Sequence, residues 1–190
     1  MFAGIVETKG RVKAAEEGDR IRRVRIEAPR AWKLPLGSSV NVDGICSTVV
    51  RKGTGFFDVE YMPETLSKTT TRSFKRGTLL NLERSLIYGQ RIDGHLVQGH
   101  VDCATPVRAI GKKGSSRELT IKPNVSLAHS AVLHGSIAVN GVSLTIAKKH
   151  GPNITVALIP YTLKHTNLGT LKVGDAVNVE FDHSRAYLAS

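Results

Sequence analysis

At 190 residues with 41% hydrophobic content, the chain can form one large domain or two small ones, each able to bury a modest core. No run approaches the roughly 18 apolar residues that span a bilayer, no secretory leader precedes the first apolar stretch, and Cys46 and Cys103 form neither a C-x-x-C pair nor a disulfide framework, so a cytoplasmic setting without membrane attachment is expected. The formal charge of +11 is spread over Arg22-Arg23, Lys112-Lys113 and Lys148-Lys149 rather than gathered on an aromatic-studded arm, which argues for a solvated basic surface and against nucleic acid as partner.

The chain opens on Met1-Phe2-Ala3-Gly4-Ile5-Val6-Glu7, an apolar lead-in that reads as a strand from the first residue. Alternation in Ile21-Arg22-Arg23-Val24-Arg25-Ile26-Glu27 predicts strands with one wet face, turned at Glu17-Gly18-Asp19. Val40 and Val42 then lead through Asp43-Gly44 into Ile45-Cys46-Ser47-Thr48-Val49, a hairpin whose turn requires positive φ at both central residues. Phe56-Phe57-Asp58-Val59-Glu60 follows and is stopped by Pro63, which opens a short helix where its missing amide hydrogen costs nothing. A strand near residues 79–83 closes the unit.

The same plan then returns. Placing Gly44 on Gly141 gives an offset of 97 residues, which also superposes Pro63 on Pro160, Thr65 on Thr162, Thr69 on Thr166, Asn81 on Asn178 and Glu83 on Glu180. Gly4-Ile5-Val6-Glu7 matches Gly99-His100-Val101-Asp102 at an offset of 95. Solenoid repeats are about 20–50 residues long, so this longer period marks a duplicated domain. Short strands with little helix predict two tandem closed β-barrels, an all-β fold, with the boundaries 1–90, 91–182 and a short tail at 183–190.

Two features carry chemical interest. His95 and His100 lie five apart, which on a strand places them on opposite faces, and no Asp or Cys set completes a metal site. Cys46 and Thr48 share one strand face, as do Ser143 and Thr145. Such groups either line a pocket or are spent on local backbone, and spacing leaves both readings open.

The motifs Met-Phe-x-Gly-Ile-Val-Glu, Asp-Gly-Ile-Cys-x-Thr-Val, Met-Pro-Glu-Thr-Leu, Gly-His-Leu-Val-Gln-Gly-His-Val-Asp and Asn-Gly-Val-Ser-Leu-Thr together resemble the riboflavin synthase family across essentially the whole chain. The resemblance implies two six-stranded Greek-key barrels, each binding one 6,7-dimethyl-8-ribityllumazine, and a C-terminal helix that assembles a homotrimer. It further implies a dismutation in which one lumazine gives a four-carbon unit to the other, with no metal and no external redox cofactor. A first pocket would use Gly4, Ile5, Val6, Cys46, Ser47, Thr48, Glu60, Tyr61, Met62, Pro63, Glu64 and Thr65. A second would use Gly99, His100, Val101, Ser143, Leu144, Thr145, Leu158, Ile159, Pro160, Tyr161 and Thr162. Ser39, Cys46, His100, Thr145 and Asp182 match family positions implicated in catalysis.

The chain departs from the family pattern at three places. Ser47 replaces an apolar residue, which predicts a wetter first pocket; His134 stands where a lysine able to touch a neighbour's ligand is usual; and only eight residues follow Asp182, which predicts a weakened trimer. The non-catalytic alternative implied by the same fold is a lumazine protein that binds one chromophore, but those proteins lose signature residues from the second half, and here they are intact.

Overall fold

The computed structural model describes residues 1–19, 21–129 and 131–182. Alternating apolar residues make twelve antiparallel strands and close them into two barrels. The first contains β1 (Thr8–Glu17), β2 (Arg22–Glu27), β3 (Ser39–Val42), β4 (Ile45–Gly53), β5 (Phe56–Tyr61) and β6 (Leu79–Arg84), with helix α1 (Pro63–Lys68) between the last two. The second repeats it with β7 (Cys103–Lys113), β8 (Ser116–Ile121), α2 (Val125–Ala128), β9 (Ser136–Val139), β10 (Val142–His150), β11 (Asn153–Leu158), α3 (Pro160–His165) and β12 (Ala176–Phe181). Around each barrel the ring order is the same: β1-β2-β5-β4-β3-β6 and β7-β8-β11-β10-β9-β12.

Closure depends on bending four strands. β1 pairs with β6 through Thr8–Arg11 and then with β2, and its register slips between Val12 and Ala14. The mirrored slip falls between Val107 and Ala109, and a second mirrored pair falls at Val49/Arg51 and Ile146/Lys148. A bulge adds local twist and lets one strand serve two neighbours, so no edge remains unpaired. Inside, Val24, Ile26, Val40, Phe57, Val59, Leu80 and Leu82 fill the first barrel, and Ile121, Ile137, Val139, Ile146, Ile154 and Val156 the second.

The expected hairpins form at Asp43-Gly44 and Asn140-Gly141, with φ of 49° and 85° in the first and 46° and 74° in the second. Their apices meet each other. A Cβ on Gly141 would lie 2.8 Å from the Gly44 amide nitrogen, and one on Gly44 would lie 2.9 Å from that of Gly141, so only glycine permits the approach. Around this contact the polar groups are exchanged with approximate two-fold symmetry. Asn81 Nδ2 donates to Asn140 O (2.9 Å) and Asn178 Nδ2 to Asp43 O (2.8 Å). The Asn167 amide donates to Asn81 Oδ1 (2.7 Å) and the Thr70 amide to Asn178 Oδ1 (2.8 Å). Each buried asparagine amide thus spends its donor and its acceptor across the interface, which fixes one relative placement of the barrels.

The lead-in departs from the sequence expectation. Residues 1–6 are not a barrel strand: Phe2 pairs with Val97 alone, its amide donating to Val97 O (2.8 Å) and its carbonyl accepting from the Val97 amide (3.0 Å). Val6 then packs against the second barrel's core and Val101 against the first's. The two connecting segments have crossed.

Candidate functional site

Because Ile45, Ser47 and Val49 point into the barrel, Cys46 and Thr48 point out, and the candidate site lies on the outer wall. There the amide of Cys46 donates to Gly99 O (2.8 Å), laying Gly99, His100 and Val101 beside β4. Gly99 has φ +82°, and a Cβ on it would sit 2.6 Å from the Cys46 nitrogen, so a side chain is excluded by both backbone and space. Opposite stands α1, started by Pro63, which contributes Met62, Glu64, Thr65 and Lys68. Together these enclose a groove of about 420 Å³ with exposed His100 at its rim.

The second barrel repeats the construction with the other segment. Ser143 occupies the place of Cys46, and its amide donates to Gly4 O (2.8 Å). A Cβ on Gly4 would lie 2.7 Å from Ser143 Cβ. Ile5 and Val6 follow, and α3 supplies Ile159, Pro160, Tyr161 and Thr162. Met62 and its mirror Ile159 are 57% and 56% exposed, so both grooves have an apolar lip open to a flat ligand. In the second groove His95 Nδ1 lies 2.6 Å from Ser143 Oγ. Burial lowers the pKa of His95, with the charge of Asp182 pulling it back up, which favours a neutral imidazole beside the serine.

This placement corrects the expected partition. Gly99, His100 and Val101 belong with Cys46, and Gly4, Ile5 and Val6 with Ser143, because each connecting segment runs onto the barrel other than the one it precedes or follows in the repeat. Ser47 does not wet a pocket: its Oγ lies 3.0 Å from Tyr61 OH and donates to Ile45 O (3.0 Å) inside the barrel. Burial pushes the Tyr61 phenol upward, and Leu144 and Leu158 fill the corresponding interior of the second barrel. These four residues can meet a ligand only through their main chain. Glu60 is held outside by Arg23 (3.0 and 2.6 Å).

Of the expected catalytic residues, Cys46 and His100 come together. Ser39, opposite Thr48 in the β3–β4 ladder, lines a separate cavity of about 480 Å³ with Ile5, Glu83 and Arg84. Thr145 is exposed on β10 opposite Ser136, and Asp182 follows β12. His134 is exposed at φ +64°, where the first barrel has Gly37. The tail beyond Asp182 lies outside the described residues. Among the described residues, no three His, Cys, Asp or Glu side chains are grouped as a metal would need.

Sequence reasoning missed the carboxylates behind the grooves. Glu180 Oε1 accepts from the amide of Gln98 (2.6 Å), and its Oε2 from those of Gly99 (2.8 Å) and His100 (3.1 Å). Its mirror Glu83 accepts from Ala3 N at 2.7 Å. Burial raises both carboxyl pKa values, Glu83 to about 7, against the lowering effect of the amides. The signal was an acidic residue repeated at the inner end of an otherwise apolar strand, Leu-Asn-Leu-Glu and Val-Asn-Val-Glu.

Twin barrels carrying outer walls of one construction define a duplicated binding protein, and the chain belongs to the lumazine-binding domain family, whose profile matches residues 3–85 and again 98–182. Its relatives include riboflavin synthases. That of Bacillus amyloliquefaciens is 37% identical over 189 residues, covering 99% of this chain and 88% of that protein. That of Brucella abortus (strain 2308) is 36% identical over 197 residues, covering 100% and 96%. The crystal structure of LumP complexed with riboflavin superposes with a TM-score of 0.88 at 27% identity, covering 96% of this chain and all of that one. LumP complexed with 6,7-dimethyl-8-(1'-D-ribityl) lumazine gives 0.85 at 27% identity.

Proposed function

We propose that this chain is a riboflavin synthase, converting two molecules of 6,7-dimethyl-8-ribityllumazine into riboflavin and 5-amino-6-ribitylamino-pyrimidinedione. The observation that carries the reading is the matched construction of the two outer walls, each built from a glycine carbonyl, a strand and a proline-started helix. A dismutation of two like molecules needs two like sites, and holding both reactants replaces a rare bimolecular encounter. One lumazine must lose a proton from its acidic 7-methyl group; the other must be activated at ring position 7. The first becomes a carbon nucleophile, and after ring opening and elimination the four-carbon unit has moved with no net oxidation.

His100, exposed beside Cys46, is assigned to proton transfer, and Thr145 and Asp182 to the second groove. Addition at the acceptor is assigned to water, since Ser39 lines a different cavity from Cys46 and His100. The proposal includes a cytoplasmic homotrimer in which a first-barrel groove faces a second-barrel groove of a neighbour.

Incubation with the lumazine tests this. Riboflavin absorbance should grow, with two lumazines consumed for each riboflavin formed. The likeness to ligand-bound LumP favours a second reading, a non-catalytic binder. A bound lumazine spectrum that persists unchanged would select it.

A further inference from the structure

We infer that Glu83 and Glu180 are positioning residues that act crosswise: each is rooted in one barrel and holds the wall of the other barrel's groove. This rests on reading the two outer grooves as lumazine sites.

Glu180 is the penultimate residue of β12 in the second barrel, where it is almost wholly buried. The three consecutive amides of Gln98, Gly99 and His100 converge on its carboxylate. Such convergence requires a turn between right- and left-handed backbone, and Gly99 at φ +82° supplies it. The other side of the same peptide group faces away: Gly99 O accepts from Cys46 N in the first barrel. One short segment is therefore clamped between a second-barrel carboxylate and a first-barrel strand, and it presents His100 and Val101 to the first groove.

Glu83 does the reverse. It is the penultimate residue of β6 in the first barrel and receives the Ala3 amide, with the Gly4 and Ile5 amides close enough to draw its pKa down against burial. Gly4 O then accepts from Ser143 N in the second barrel. Gly4 at φ +73° repeats the turn. Amide bonds to a buried carboxylate are among the stronger ones a loop can make, so the placement of each groove wall depends on the neighbouring barrel being folded and in register. The polar exchange around Gly44 and Gly141 secures that register.

Amide-resolved NMR of the full chain tests the crossing, using as probe a lumazine whose 7-methyl is replaced by oxygen and which therefore cannot turn over. In the ligand-free state E180Q should displace the amide signal of Cys46 and leave that of Ser143 in place; E83Q should do the opposite. On titration, E180Q should weaken the probe at the Cys46 groove about tenfold and change the Ser143 groove less than about twofold, since the neutral amide keeps its shape but loses charge-assisted acceptance. An effect confined to the variant's own barrel, spread equally over both, or absent overturns the inference. If E180Q does not fold, the unaltered protein decides: filling the Cys46 groove must shift the Glu180 carboxyl carbon rather than that of Glu83. Failure of the probe to bind either groove would remove the lumazine reading instead, while the ligand-free signals still judge the wiring.

Discussion

The first groove offers Cys46 and an exposed His100; the second offers Ser143, with Ile5 where the histidine stood and with His95 bonded to the serine from behind. Everything that places these residues is duplicated, from the positive-φ glycines to the proline-started helices, and what differs is the side chain delivered. Backbone plan and chemistry have separated after duplication. A reaction in which one molecule gives and an identical one receives needs this arrangement, because equal binding must be combined with unequal proton handling.

The largest expected effect removes that inequality. His100→Gln should lower turnover about 100-fold, in the range a positioned acid or base contributes. Being exposed, the side chain should leave thermal stability nearly unchanged. Unchanged turnover would transfer the proton step to another group.

Gly141→Ala attacks the feature the barrels share. The new Cβ would press on the Gly44 amide and on Asn41 Oδ1 at 2.8 Å while holding an αL backbone. A loss of about 2–4 kcal/mol in urea unfolding is expected, accompanied by weaker binding in both grooves.

Asp43→Asn makes the first hairpin like the second, where Asn140 stands. Burial raises the Asp43 pKa to about 8 against its bonds from Asn81 N and Asn167 Nδ2. A carboxyl whose folded pKa exceeds its unfolded value stabilises the fold fully below about pH 4, and that contribution is lost as pH rises through about 8. The wild-type urea midpoint should therefore decline between about pH 5 and 8, and the variant should flatten the decline. A midpoint with the same slope in both would place the titration elsewhere.

The smallest effect concerns the barrel interiors. Ser47 and Tyr61 form a polar pair where the second barrel has Leu144 and Leu158. Ser47→Ala leaves the buried Tyr61 hydroxyl without its partner and should cost about 1–3 kcal/mol. Ser47→Leu with Tyr61→Leu copies the second barrel and should recover part of that loss. Ligand affinity should stay within about twofold in both variants, since these side chains face away from the groove.

How far the sequence carried can be seen at particular residues. The hairpins at Asp43-Gly44 and Asn140-Gly141 were legible because a two-residue turn with glycine has few alternatives, and the offset of 97 made closure of two similar barrels readable. The crossing of residues 1–6 and 97–101 was not, since periodicity reports which face a residue takes and never which barrel. The strand expected over residues 1–7 was misread for the same reason: an apolar lead-in satisfies either barrel's surface equally well. Ser47 was legible in principle, because it shares parity with Ile45 and Val49, but the apolar residue expected at its position drew attention to the pocket instead. His95 and Ser143 are 48 residues apart, and only the crossing brings them to 2.6 Å.

The measurement that reaches the centre of this account is equilibrium binding of the unreactive 7-oxo lumazine to the intact chain. Two molecules per polypeptide are predicted, one beside Cys46 and one beside Ser143. A saturating ratio of one would contradict it.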